Sequence, residues 1–162
     1  MHEEIVVISP ITVIGLSTVT NNQKEATQDG AIIPLSEQFN QQKLIETLGD
    51  CVVDDRVIAV YGDYQNGESG DYTYAIGYQV LDPEDMPPGC EIFDIKGGKY
   101  LRFPTERGPL SDVLPAAWQT IWRKTQEGTL GVIRAFEIDF EFHNYDAAHM
   151  HDAQVDIYLS IK

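Results

Sequence analysis

The chain has 162 residues, of which 43% are hydrophobic and 10% aromatic, and a net charge of −15. This length and composition suit one globular domain and exclude a disordered chain. Direct binding of nucleic acid is unfavourable because phosphate contacts require clustered lysine and arginine, and the chain has 11 basic against 26 acidic residues. The charge favours a cationic ligand or a basic protein partner.

The chain opens with predicted strands. Residues 5–20 are rich in β-branched side chains and are interrupted by Pro10, which predicts two short strands or one bent edge strand. The first apolar run has no basic residues before it and is too short for a signal-peptide core or a membrane span. We therefore expect a cytoplasmic protein with no membrane contact.

A polar loop over residues 21–30 precedes the first predicted helix. This helix begins near Pro34, which suits a first turn, and ends at Gly49. Its apolar stripe has a rough 3.6-residue period and consists of Leu35, Phe39, Leu44, Ile45 and Leu48. Two cysteines, Cys51 and Cys90, form no CxxC arrangement and are predicted to be free thiols.

A tyrosine-rich hairpin follows the helix. Its predicted strands cover residues 57–64 and 71–80, and the turn between them is rich in glycine. Residues 82–89 contain three prolines and are predicted to be a linker, because neither a helix interior nor a central strand accepts proline there.

The same order of elements is predicted after the linker. Short strands over 91–95 and 99–103 precede a helix that follows Pro109 and ends at Gly128, and two more strands complete the chain. The sequence therefore predicts an α+β domain of two tandem strand–helix–strand–strand modules, module 1 over about 1–81 and module 2 over about 90–162. Their strands would form one antiparallel sheet with two main helices on one face, and a cleft is expected between the modules.

The penultimate strand, predicted over residues 133–142, alternates between apolar and acidic side chains. Four apolar side chains would share one face: Phe136, Ile138, Phe140 and Phe142. The opposite face would carry Glu137, Asp139 and Glu141, about 7 Å apart because a strand rises about 3.3 Å per residue. We interpret this strand as the floor of a binding site, and the alternative is an ordinary strand with a solvated outer face.

Carboxylates beside aromatic rings suit a lipophilic cation, because the ring quadrupole and the negative charge attract it together. The case for catalysis is weaker, since no phosphate-binding glycine loop, HExxH, GxSxG or paired CxxC motif is present. His149 and His151 offer two ligands without a third, so no metal site and no cofactor are predicted.

The hairpin residues 60–64 and 66–77, the Ala117–Trp118–Gln119–Thr120–Ile121–Trp122 run, Asp139–Phe140–Glu141 and the closing residues 155–162 resemble one known family. The chain is similar to the GyrI-like, AraC-type effector-binding domains, and most similar to their stand-alone, integron-cassette-associated branch. This resemblance implies the same two-module fold and an amphipathic, cationic, drug-like ligand held between the modules. Many members of that family carry a helix-turn-helix DNA-binding part, but the two modules take up the 162 residues here and leave no basic recognition helix, so we expect this chain not to bind DNA itself.

The resemblance also implies which residues bind the ligand. The family's anchoring acid falls on Glu141, with Glu137 as the competing position, and Tyr145 would be displaced from its usual place by a local insertion. The predicted walls of the site are Tyr61, Tyr74, Trp118, Trp122 and Tyr158. We expect a non-enzymatic binding module, with a protein partner or a homodimer as further possibilities. The alternatives are a hydrolase with a glutamate base and an acidic inhibitor module that binds a basic protein surface.

Overall fold

A computed structural model describes residues 2–83, 86–144 and 149–162. In these residues the strands are β1 (Glu4–Ile8), β2 (Ile11–Thr20), β3 (Val52–Gly62), β4 (Tyr72–Val80), β5 (Glu91–Ile95), β6 (Gly98–Pro104), β7 (Asp139–His143) and β8 (Val155–Ser160). The helices are α1 (Asn22–Glu25), α2 (Ile32–Gln42), α3 (Leu44–Leu48) and α4 (Leu110–Glu127). Residues 84 and 85 of the predicted linker, and Tyr145, lie outside this description.

The strands form one antiparallel sheet in the order β1-β6-β8-β7-β3-β4-β2-β5. If each strand is replaced by its counterpart in the other module (β1 by β5, β2 by β6, β3 by β7, β4 by β8, and the reverse), the same order is obtained backwards. The two modules are therefore related by an internal two-fold axis. The first module (β1–β4 with α1–α3) and the second module (β5–β8 with α4) meet where β3 pairs with β7, with Ala59 opposite Glu141. The predicted fold of two tandem modules in one antiparallel sheet is confirmed.

The sheet curls where each module begins. Pro10 separates β1 from β2, and Lys96–Gly97 separate β5 from β6, so that β1 pairs with β6 while β2 pairs with β5. The two bends touch each other, since a Cβ atom added to Gly97 would lie 2.8 Å from Cδ of Pro10. Glycine at this position therefore lets the two chains approach.

Helices α2, α3 and α4 pack on one face of the sheet, where the sequence predicted the two main helices. Leu35 and Phe39 of α2 and Leu44 and Leu48 of α3 pack on the first module, and Ile121 of α4 packs on the second. The opposite face has its own buried cluster without helical residues, including Ile58, Val60 and Phe140. Phe140 stacks on Tyr158 there, with ring centroids 4.7 Å apart.

The first long helix is divided, which differs from the prediction of one helix from Pro34 to Gly49. Lys43 takes a left-handed conformation with φ of 49° and separates α2 from α3. The reason is the spacing of the apolar side chains. Phe39 and Leu44 are five residues apart, so an unbroken helix with 3.6 residues per turn would not place both on the sheet.

The acidic strand is shorter than predicted. β7 begins at Asp139. Phe136 has a φ of +52°, so the alternation of side chains between the two faces does not extend from β7 back through Phe136. Phe136 consequently packs on Tyr64, with ring centroids 5.6 Å apart, instead of lying beside Phe140. The prediction of a continuous strand over 133–142 is wrong for residues 133–138, because a positive φ at one residue resets which face the next residues occupy.

Cys51 and Cys90 are free, as predicted. Across the described ranges, the helices lack the combination of length and apolar character that a membrane crossing requires.

Candidate functional site

The most deeply buried glutamate of the described chain lies at the junction of the two modules. Glu141 of β7 is 1% exposed. Its Oε2 accepts hydrogen bonds from the Tyr61 hydroxyl on β3 and from Trp118 Nε1 on α4, both at 2.7 Å. His143 Nε2 lies 2.8 Å from its Oε1. Both modules therefore contribute to holding this carboxylate.

Aromatic rings continue away from Glu141 in both directions. We call this set the aromatic row, and it consists of Trp122, Trp118, Tyr61, Tyr74, Tyr72, Tyr64 and Phe136. Trp118 lies 5.1 Å from Tyr61 between ring centroids, and Tyr61 lies 5.2 Å from Tyr74. Ring faces next to a buried carboxylate are the surroundings that attract an organic cation.

Asp139 has a different environment on the same face of β7. It is 0% exposed, and its Oδ2 accepts hydrogen bonds at 2.7 Å from Arg134 Nη2 and from the Tyr64 hydroxyl. Its Oδ1 accepts bonds from the backbone and the side chain of Ser160. Arg134 also donates to Glu68 at 2.9 Å, which attaches the turn of the β3–β4 hairpin to this pair. The charge of Asp139 is thus neutralised within the protein.

The tyrosines of the site remain donors over a wide pH range. Burial raises the pKa of the Tyr61 hydroxyl well above its ordinary value, and the negative charge of Glu141 raises it further. Burial likewise raises the pKa of Tyr64, with Asp139 adding to the effect. Both hydroxyls are consequently protonated and donate to the carboxylates at neutral pH.

The structure brings together Glu141, Tyr61, Tyr74, Trp118 and Trp122 from the set predicted from sequence, and it separates Glu137 and Tyr158 from them. Glu137 is exposed and lines a cavity of about 600 Å³ with Pro10, Tyr100 and Ile138 on the sheet face without helices. Tyr158 stacks on Phe140 on that same face.

The predicted set of site residues lacked Arg134 and His143, and it also lacked three members of the aromatic row, Tyr72, Tyr64 and Phe136. No local pattern predicts the ion pair of Arg134 with Asp139, because the approach of the two side chains depends on the turn at Phe136. The position of His143 could have been predicted, since it lies two residues after Glu141 and side chains two residues apart share a strand face. Tyr72 belongs to the predicted apolar face of the hairpin and contacts Tyr61, with ring centroids 5.7 Å apart.

No metal centre is seen among the residues in the described ranges, since no three or more His, Cys, Asp or Glu side chains there are grouped to hold an ion. His149 and His151 are exposed, with ring centroids 6.4 Å apart.

Comparison with known proteins gives concordant results. The model of a family described as integron-associated effector binding proteins matches residues 4–161. The Bacillus subtilis (strain 168) protein YobU, provisionally described as a transcriptional regulator, is 33% identical over 150 residues, which is 91% of this chain and 90% of YobU.

Two solved structures have the same fold. The integron cassette protein VCH_CASS2, from the mobile metagenome of Vibrio cholerae, superposes with a TM-score of 0.78 at 21% identity, covering 99% of this chain and 96% of that chain. The protein SAV2435, whose structure is bound to tetraphenylphosphonium, gives a TM-score of 0.77 at 14% identity and covers 100% of this chain and 94% of its own.

Proposed function

Because the chain belongs to the family of integron-associated effector binding proteins, we propose that it binds a small lipophilic cation between its modules, with Glu141 as the anionic anchor. The observation that carries this proposal is the position of Glu141, a buried carboxylate in contact with the aromatic row. The tetraphenylphosphonium ion in the structure of SAV2435, which has the same fold, supports a ligand of this class.

Glu141 is favoured over the neighbouring acids by its donors. Asp139 already has a full positive charge beside it, in Arg134 at 2.7 Å, and a second cation would be repelled. Glu137 is exposed and lies on the opposite face of the sheet, away from the aromatic row. The two donors on Oε2 of Glu141 are a phenol and an indole, which carry no positive charge, so this oxygen can face a cationic ligand.

The aromatic row would supply most of the contact area for the body of the ligand. Each ring that presents its face to the cation contributes about 0.5–2 kcal/mol. Tyr61 and Trp118 both donate to Glu141, so they surround the point where the positive centre would lie. Tyr74 and Trp122 extend this wall into the two modules.

The site is closed in this structure. Trp118 is 8% exposed and Glu141 is 1% exposed, so a ligand reaches the carboxylate only after these side chains move. Trp122 is half-buried next to Trp118 and lies on the outer part of the row. We therefore propose that entry of the ligand breaks the hydrogen bond between Trp118 and Glu141 and displaces the indole.

The hydrolase alternative would use the same glutamate as a general base. A general base must reach the proton that it removes, within hydrogen-bonding distance or through one water molecule. Both oxygens of Glu141 instead accept hydrogen bonds from protein groups, which favours an anchor for a cation over a base.

Titration of a fluorescent lipophilic cation, followed by polarisation, tests the proposal. Glu141→Gln should weaken binding by about 2–5 kcal/mol, because a buried charge contact is lost. Glu137→Gln is the matched control and should change binding by less than about 0.5 kcal/mol, as is usual for a surface position. Equal affinities of the wild type and Glu141→Gln, both folded by circular dichroism, would contradict the assignment.

A further inference from the structure

We propose that Arg134 recognises a second group of the ligand: its Nε–H donates to a neutral acceptor oxygen that lies about 7 Å from the positive centre at Glu141. The inference rests on the proposed function, since it narrows the class of ligand that the same site binds. The ligand would be a lipophilic cation that also carries a carbonyl or ether oxygen, and Arg134 would determine the specificity for it.

One donor of Arg134 is not used within the described ranges of the chain. Nη1 donates to Glu68 at 2.9 Å and Nη2 donates to Asp139 at 2.7 Å, whereas the buried Nε has no hydrogen-bond acceptor there. The side chain of Arg134 is only 2% exposed. A buried donor without a partner raises the free energy of the folded protein, and an acceptor that reaches it removes this penalty.

The indole of Trp118 connects Arg134 with the anchoring carboxylate. Its Nε1 donates to Glu141, and its ring centroid lies 6.0 Å from Cζ of Arg134. A ligand that displaces this indole therefore comes to lie next to both residues. Cζ of Arg134 also lies 4.2 Å from the ring centroid of Phe136, so the guanidinium borders the aromatic row that would hold the body of the ligand.

The geometry of β7 sets the distance between the two recognised groups of the ligand. Arg134 is held at Asp139, which lies two residues before Glu141 on the same face of the strand. Two residues of a strand span about 7 Å. Because the guanidinium is positive, a lone pair at the second position is attracted and another positive charge is repelled. The second group is therefore an acceptor oxygen.

Two derivatives of tetraphenylphosphonium test the inference by calorimetric titration. One carries an acetyl group at the para position of one ring, and the other carries an isopropenyl group of the same shape, in which CH₂ replaces the oxygen. The acetyl oxygen lies about 7 Å from phosphorus, which matches the strand distance. The wild type should bind the acetyl probe about tenfold or more tightly than the isopropenyl probe. Arg134→Lys keeps a positive charge without the Nε–H, and its ratio of affinities should fall to about one.

Arg102→Lys is the matched control. In the part of the chain that the structure describes, Nε of Arg102 also has no acceptor, but this side chain is 31% exposed. It lies opposite Tyr158, on the sheet face without helices, so its variant should keep the preference for the acetyl probe. Equal affinities of the two probes for the wild type would overturn the inference. A preference that survives in folded Arg134→Lys would also overturn it.

A second measurement uses only the wild type, so it decides the question even if Arg134→Lys does not fold. The Nε–H proton of Arg134, assigned by NMR through the bonds of its own side chain, should shift downfield with the acetyl probe and not with the isopropenyl probe. The same shift with both probes would refute the hydrogen bond. If the isopropenyl probe binds the wild type and loses affinity in Glu141→Gln, the proposed function holds whatever the acetyl probe does. If neither probe binds, both proposals fail.

Discussion

Glu141 and Asp139 lie two residues apart on the same face of β7, and their hydrogen-bond donors differ in charge. Arg134 donates to Asp139 at 2.7 Å, whereas Glu141 is contacted by Tyr61, Trp118 and His143. The guanidinium neutralises Asp139 and gives it a structural role. Among the described residues no arginine or lysine pairs with Glu141, which is why we propose this carboxylate as the anchor for a cationic ligand.

Arg134→Met should destabilise the protein by about 3–5 kcal/mol, because Asp139 would remain buried without its partner. Adding Asp139→Asn should restore part of that loss, since the uncompensated charge is then gone. The matched control is Arg107→Met. Its ion pair with Asp152 is 3.4 Å long and exposed, and should contribute less than about 1 kcal/mol. Urea unfolding gives the free energy of unfolding of the wild type and of the three variants. If the two arginine variants lost the same stability, Arg134 would not have the role assigned here.

Trp118→Phe should keep a ring in the aromatic row and remove the indole donor to Glu141. Losing a hydrogen bond to a charged group should lower the free energy of unfolding by about 1.5–3 kcal/mol. Cation affinity should stay the same or increase, because the ligand no longer has to break that bond. Trp122→Phe, with no hydrogen bond to Glu141 assigned to it, serves as the control in the same dye titration. A loss of affinity in Trp118→Phe as large as that of Glu141→Gln would contradict the displacement of Trp118.

Gly15 and Gly77 face each other across β2 and β4, and neither tolerates a side chain. A Cβ atom at Gly15 would lie 2.1 Å from the carbonyl oxygen of Ile76. Because that oxygen belongs to the backbone, Gly15→Ala should cost more than about 4 kcal/mol. Gly62→Ala is the control, since its nearest neighbour would be 3.6 Å away. Thermal unfolding compares the two variants, and similar melting temperatures would disprove the close approach of the strands.

The free energy of unfolding should fall as the pH rises above about 10, where tyrosines in the unfolded chain ionise. Burial raises the pKa of Tyr61, Tyr64 and Tyr72 in the folded protein. Each folded pKa exceeds the unfolded value, so the stabilisation is complete below about 10 and is lost through the window between the two values. The slope should approach about 1.4 kcal/mol per pH unit for each tyrosine.

Urea midpoints over an alkaline pH series, with tyrosinate absorbance as the second signal, check this expectation. Tyr64→Phe should reduce the slope, because that residue then cannot ionise. Midpoints that stay constant over the whole alkaline series would show that these hydroxyls ionise as readily in the folded protein as in the unfolded chain.

Local sequence patterns were sufficient for the order of the strands and of the two main helical segments, but the predicted loop over residues 21–30 contains the short helix α1 (Asn22–Glu25), because the Asn21 side chain caps its first turn. The bend at Pro10, the left-handed Gly128 at the end of α4 and the period-two apolar face of the hairpin are interactions within a few residues, and each appears where the sequence predicts it. The resemblance drawn from the tyrosine hairpin and the Asp139–Glu141 segment is confirmed by the family match over residues 4–161.

Tertiary structure alone decided which acid faces the aromatic row. Alternation along a strand predicts the face of a side chain only while the backbone remains extended, and the positive φ of Phe136 ends that extension before Glu137. The contacts of Glu141 with Trp118 and Tyr61 span 23 and 80 residues of sequence. They exist because β3 pairs with β7 and α4 packs on the same face of the sheet, and no short-range pattern encodes that pairing.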